Sequence, residues 1–134
     1  MKRSHLNHPI KVLIVDDSLQ IIDRIKLSLS HEKDISWIGY ALTISSALKT
    51  IKDTSPEVLL LDIHLKHDIP ATGIDLLIQV KKEYPDMKVI MLTNRPTEKF
   101  RERCIQLGAE YYLDKTYDFE KIPETILQII WKRK

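Results

Sequence analysis

The chain has 134 residues, 43% hydrophobic and 30% charged, with 21 Lys and Arg against 19 Asp and Glu. That length fits one domain with a real core and excludes two, the balanced charge gives no argument for nucleic acid, and no apolar run is long enough to span a bilayer. Cys104 is the single cysteine, so no internal disulfide forms, and with no signal-like stretch from Met1 to Pro9 a cytoplasmic location is expected.

One pattern recurs along the chain: a short apolar run, then a stretch with helical spacing. Ile10 to Val15 is β-branched and closed by Asp16-Asp17; from Ser18 to about Ser30, Ile22, Ile25 and Leu29 recur at helix intervals. A weaker run, Ile35 to Leu42, precedes a short helix from Ser45 to Lys52, which the turn-like Asp53-Thr54-Ser55-Pro56 ends. Val58 to Leu61, ending at Asp62, lacks polar alternation and reads as a strand covered on both faces. After a loop containing Pro70 and Gly73, Ile74, Leu77 and Tyr84 mark a helix that Pro85 ends.

Val89 to Leu92 ends at Thr93, and the helix from about Thr97 to Leu107 stops at Gly108, a residue suited to a left-handed cap. Tyr111 to Leu113 leads to Lys115. The last helix begins near Lys121, which keeps Pro123 in its first turn, and turns Ile122, Ile126, Ile129 and Ile130 toward the core. Residues 1–9 are expected to be a disordered leader, 10–131 one domain and 132–134 a basic tail. The alternation predicts an α/β fold with a parallel sheet and helices on both faces. Fold analogy suggests the flavodoxin-like (βα)5 order 2-1-3-4-5, a doubly wound sheet.

Four of the strands end in polar residues of chemical use: Asp16-Asp17, Asp62, Thr93 and Lys115. Ligands of such sheets bind beyond the carboxyl ends of the strands, so these residues are expected to converge. Singly, each is an ordinary turn former or solvated side chain; jointly they are specific. Two carboxylates ~5 Å apart repel by roughly 3 kcal/mol at an effective dielectric of about 20. Three together raise a pKa or demand a cation, and hard oxygen ligands suit Mg²⁺. Lys115 supplies a positive charge and Thr93 a hydroxyl donor for a phosphoryl oxygen. Asp62, on the central buried strand, is the best-placed nucleophile, and Asp16-Asp17 the better-placed metal holder.

The segments Val12-Leu13-Ile14-Val15-Asp16-Asp17, Val58-Leu59-Leu60-Leu61-Asp62, Val89-Ile90-Met91-Leu92-Thr93 and Leu107-Gly108-Ala109-Glu110-Tyr111-Tyr112-Leu113-Asp114-Lys115 occur in order. The chain from Lys11 to about Trp131 resembles the receiver domain of bacterial two-component response regulators. It looks closest to those that usually precede a helix-turn-helix DNA-binding domain. The resemblance implies that Asp62 is the phosphoacceptor and that Asp17 binds the metal directly, with Asp16 mainly through water. It further implies the backbone carbonyl of His64 as a ligand, Thr93 as the switch hydroxyl, Lys115 as the phosphate-pairing lysine and Tyr112 as the aromatic switch. Implied partners are a sensor histidine kinase or phosphotransfer protein, a downstream target or output domain, and a second copy on phosphorylation. Neither direct nucleic-acid binding nor a membrane is implied.

The chain departs from the family pattern in places. Lys66 stands where a proline is usual, Gly73 comes about three residues late, Asn94 replaces a small residue, and Thr116 replaces a proline. None of these removes a chemical group. The resemblance implies that His64 and Arg95, two residues beyond Asp62 and Thr93, stand where side chains overhang the approach of water. Rival readings are a zinc site from His64, His67 and Asp68, a flavodoxin, and a phosphatase of the haloacid dehalogenase class. The flavodoxin wants a Ser/Thr-rich loop where this chain has two acids, and the phosphatase wants Asp-x-Asp and a cap domain. Two architectures fit the chain ends: a piece of a longer transcription factor, or a stand-alone regulator. Met1 and the lack of a linker after Trp131 tilt the expectation toward the second.

Overall fold

In the computed structural model, which describes residues 8–132 apart from the side chains of Ile130 and Lys132, the apolar runs pair into one parallel sheet. Its strands are β1 (Ile10–Val15), β2 (Ile35–Ala41), β3 (Val58–Asp62), β4 (Lys88–Thr93) and β5 (Tyr111–Asp114), in the order β2-β1-β3-β4-β5. The helices are α1 (Leu19–Leu29), α2 (Ile44–Thr54), α3 (Gly73–Glu83), α4 (Glu98–Gln106) and α5 (Ile122–Lys132). The flavodoxin-like order expected by analogy is the order observed. Of the expected leader, core position and tail, residues 1–7, the Ile130 side chain and residues 133–134 lie outside the described part. No helix among the described residues is long and apolar enough to cross a membrane.

Successive side chains of a strand point to opposite faces, and this period sorts the core into two layers. Val12, Ile14, Leu60, Ile90 and Leu92 pack with Ile22, Ile25 and Leu29 of α1 and Ile122, Ile126 and Ile129 of α5. The alternate set, Leu13, Val15, Leu59, Leu61, Val89 and Met91, packs with Ala47, Ile51, Leu76, Leu77, Val80 and Cys104 of α2, α3 and α4. Every residue of β3 is buried, as expected of a strand with helices over both faces.

The boundaries differ from the sequence reading where local bonds outvote composition. Helix α2 does not stop at Lys52; it runs on to Thr54, with the Thr54 hydroxyl donating to the Thr50 carbonyl at 2.7 Å. It ends only at Ser55, a left-handed residue at φ 50°. It also begins one residue early, because Thr43 and Ser46 form a reciprocal capping box. Strand β2 gives a weak signal because its pairing slips: Val12 faces Trp37 but Leu13 faces Gly39, leaving Ile38 as an extra residue. The late-glycine loop is not structureless either, since Lys66–Asp68 form a 3-10 turn.

Gly73 is required by close approach. Its N–H donates to the Ile63 carbonyl at 2.7 Å, laying the first turn of α3 against the end of β3. A Cβ there would run into the Asp62 carbonyl oxygen, with the carbonyl carbon 2.9 Å away. Both obstacles are backbone, so no side-chain rotation relieves the clash. Gly73→Ala is therefore expected to cost at least roughly 2 kcal/mol, toward the upper part of the range for overpacking. Urea unfolding at unchanged slope measures it; an alanine variant as stable as the wild type would show α3 free to retreat.

Candidate functional site

The sheet register brings the strand ends together. Val15 of β1 faces Leu61 of β3, so Asp16 and Asp62 leave their strands side by side. The Ile63 N–H donates to the Leu92 carbonyl at 3.1 Å, and the Lys115 N–H donates to the Thr93 carbonyl at 2.9 Å. Thus β1, β3, β4 and β5 end level, and Asp16, Asp62, Thr93 and Lys115 meet at one edge.

These four side chains are almost wholly withdrawn from water, with exposures of 0% for Asp16, 3% for Asp62, 0% for Thr93 and 5% for Lys115. Solvent screening is correspondingly weak. The Lys115 ammonium bridges the two acids, at 2.6 Å from Asp16 Oδ2 and 3.2 Å from Asp62 Oδ2. Asp16 Oδ1 accepts the Ser18 N–H at 2.9 Å, and Asp62 Oδ1 accepts the His64 N–H at 3.2 Å. Asp17 is half-buried, and its Oδ2 accepts the Lys66 N–H at 2.7 Å. One lysine among three acids leaves a negative excess. Burial pushes the Asp62 carboxyl up from 3.8 to about 6, with Asp16 adding repulsion against the pull of Lys115.

Asp16, Asp17 and Asp62 each offer a carboxylate oxygen, and these lie within 4.8 Å of one another. Hard, anionic oxygens with an uncompensated charge fit a small divalent cation. They are the one group of three or more such ligating side chains gathered among the described residues. His64, His67 and Asp68 are not gathered. Asp68 turns to α2, where its Oδ2 accepts the Ile44 N–H at 2.9 Å. The His64 ring is exposed and stands edge-on to Phe100 of α4, with centroids 6.0 Å apart.

Thr93 Oγ1 accepts the Arg95 N–H at 3.0 Å, which leaves its own proton to donate. The Tyr112 phenol is half-buried and accepts the Thr97 N–H at 3.3 Å, tying β5 to the cap of α4. Burial pushes that phenol's pKa up, against the pull of the Thr97 N–H. Asp17 and Asp62 line a cleft of about 450 Å³ together with Lys66, Asn94, Arg95 and Lys115.

Two contributors escaped the sequence reading. Ser18 caps α1, accepting the Ile21 N–H at 3.3 Å, while its own N–H orients Asp16. Its signal was Asp-x-Ser at a strand-to-helix junction, which is both an Asx-turn and a cap. Lys66 acts through its backbone N–H, for which side-chain chemistry gives no signal.

A family model described as the response regulator receiver domain matches residues 12–127. The chain belongs to that family. The receiver domain is 33% identical over 118 residues to the response regulator protein VraR of Staphylococcus saprophyticus, covering 88% of this chain and 55% of that protein. It therefore spans about half of that relative's length. Among solved structures, the RcsB response regulator of Salmonella typhimurium superposes with a TM-score of 0.85 at 20% identity, covering 92% of this chain and 60% of the other. The signal receiver domain of the putative response regulator NarL from Mycobacterium tuberculosis gives 0.82 at 21% identity, covering 95% and 99%. Structural likeness at such identities speaks for the fold; the family match leaves the phosphatase and flavodoxin readings without support.

The raised Asp62 carboxyl carries a stability signature. Asp62 binds its proton more tightly in the folded state, so its stabilising share is full below about 3.8 and is lost as pH rises through about 6. At neutral pH the ionised group is a liability that a neutral amide lacks. In metal-free buffer near neutrality, Asp62→Asn should raise stability by about 1–3 kcal/mol. The gain should shrink as pH falls through about 6 toward about 4. Urea unfolding over a pH series tests this; a gain that stays flat with pH would show that Asp62 is not the strained group.

Proposed function

We propose that this receiver domain accepts a phosphoryl group on Asp62 from a histidine kinase or phosphotransfer protein and switches conformation in response. It catalyses only its own phosphorylation and dephosphorylation, in the cytoplasm. The observation that carries the reading is the meeting of Asp62 with Lys115, Thr93 and the Asp16-Asp17 pair at one buried sheet edge.

Asp16, Asp17, Asp62 and the His64 backbone carbonyl would hold Mg²⁺. When bound, Mg²⁺ neutralises the charge that keeps an anionic phosphoryl group from a carboxylate. An Asp62 carboxylate oxygen forms the new bond to phosphorus while the donor's bond breaks and its leaving group departs with the electron pair. The product is an acyl phosphate. The Thr93 hydroxyl donates a hydrogen bond to one phosphoryl oxygen, and Lys115 pairs with another while keeping Asp16 as counter-ion.

Thr93 and Lys115 sit on adjacent strands, so gripping one group draws both strand ends inward together. Tyr112, bonded to the α4 cap, is then the route to the outer face. The output passes to a protein target, an output domain or a second copy of the chain. VraR, of which the chain covers 55%, is itself a response regulator, and transcriptional output through a further domain or partner fits that kinship.

Acetyl phosphate with Mg²⁺ should add one phosphoryl group to the wild type and none to Asp62→Asn, as read by intact mass spectrometry. Equal labelling of both would remove Asp62 as acceptor. The label should also be lost at alkaline pH, because acyl phosphates hydrolyse.

Moving a two-state equilibrium from 1:99 to 99:1 takes about 5.5 kcal/mol. A few charge-assisted hydrogen bonds of roughly 1.5–3 kcal/mol each are sufficient. Beryllofluoride, a stand-in for the phosphoryl group, should therefore shift amide resonances as far as Tyr112 and helix α4. Shifts confined to the cleft would describe a domain that binds phosphate without switching.

A further inference from the structure

The segment from Leu65 to Asp68, in the loop that runs longer than the family pattern, makes two contacts that join the acid cluster to α2. Leu65 is buried in the layer beneath α2, α3 and α4 and anchors the segment. The Asp68 N–H then donates to the Leu65 carbonyl at 3.0 Å, closing a tight turn, and the Ala71 N–H donates to the Asp68 carbonyl at 2.7 Å. At one end of this turn the Lys66 N–H holds Asp17 Oδ2 at 2.7 Å. At the other, Asp68 Oδ2 accepts the Ile44 N–H at 2.9 Å.

That second bond fills a specific vacancy in helix capping. A helix start leaves its first N–H groups without intrahelical partners. In α2 the capping box serves Thr43 and Ser46, whose N–H groups go to Ser46 Oγ at 3.3 Å and Thr43 Oγ1 at 3.2 Å. The N–H of Ile44, between them, is served by Asp68. A carboxylate is also favoured at this positive end of the helix dipole. The turn is thereby clamped between the core, α2 and Asp17.

We propose that Asp68 is a positioning residue for the divalent-cation site, acting on Asp17 through the Leu65–Asp68 turn. The proposal rests on the reading of Asp17 as a metal ligand. With Oδ2 occupied by the Lys66 N–H, Asp17 is held in one orientation and its other oxygen is left for the cation. Cutting the Asp68 bond frees the turn and, with it, the carboxylate. The coupling runs both ways, so cation binding reaches the first turn of α2.

The test is a calorimetric titration of the whole chain with Mg²⁺ for wild type, Asp68→Ala and Asp68→Asn. Asp68→Ala should weaken binding about three- to tenfold, less than the roughly ten- to hundredfold cost of losing a direct outer-shell partner. Asp68→Asn should restore it to within about twofold, because an amide oxygen accepts the same N–H without the charge. The wild-type Ile44 amide resonance should shift on adding Mg²⁺, and the shift should vanish in Asp68→Ala. Wild-type affinity in Asp68→Ala, or an Asp68→Asn as weak as the alanine variant, would overturn the positioning role while leaving the cation site intact. Absence of Mg²⁺ binding by the wild type would overturn the cation site and this role together. If Asp68→Ala does not fold, an Ile44 amide in the wild type that ignores Mg²⁺ overturns the proposal.

Discussion

The contact of the Lys115 ammonium with both Asp16 and Asp62, at 2.6 and 3.2 Å, organises the carboxyl end of this sheet. All three groups are buried, and each ion withdrawn from water costs several kcal/mol before its partners offset it. The lysine compensates one negative charge of the acid cluster and no more. Burial, with repulsion from Asp16 added against the pull of Lys115, raises the Asp62 carboxyl to about 6 from 3.8. A group so disfavoured as an anion is stabilised by whatever brings positive charge. The cluster therefore sits unrelaxed, and the proposed cation and phosphoryl group would bring the positive charge and bonding partners that the resting acids lack.

That arrangement depends on registers fixed far from the charges. A slip of one residue between β1 and β3 would move Asp16 off the level of Asp62 and turn the core side chains of the strand to the opposite face. Leu13 and Leu59 belong to one apolar layer, Val12 and Leu60 to the other. Packing on two faces at once leaves the strands no alternative pairing of similar energy. The hydrophobic core is thus what holds like charges together, and Gly73 lets α3 close against the same edge. Stability elsewhere sustains strain at the site.

The loops adapt the shared frame to this chain. The segment after β3 folds into a 3-10 turn with Leu65 buried, rather than spreading as a longer open rim. It contacts the β1–α1 loop through Asp17 and α2 through Ile44. On the other flank, Tyr112 bonds the α4 cap and His64 packs edge-on against Phe100. Two sets of contacts therefore leave the cleft, one toward α2 and one toward α4.

The sequence by itself determined the alternation of strands and helices, the two-sided burial of β3 and the polar residues at the strand ends. Those features are local: period, β-branching and breakers act within a few residues, and the strand order followed from analogy with the few topologies that right-handed crossovers allow. Only the tertiary structure decided what depends on pairs distant along the chain. It placed Asp68 on α2 instead of beside His64 and His67, set Lys115 between two acids, and slipped β2 by one residue at Ile38. It also carried α2 through Asp53 and Thr54, where composition suggested a turn, because side-chain bonds within the helix held its last turn closed. Backbone N–H groups such as those of Lys66 and Ile44 are the same in every residue but proline. No reading of residue types reveals which carboxylate each one meets, because that is settled by where the packed core brings the chain.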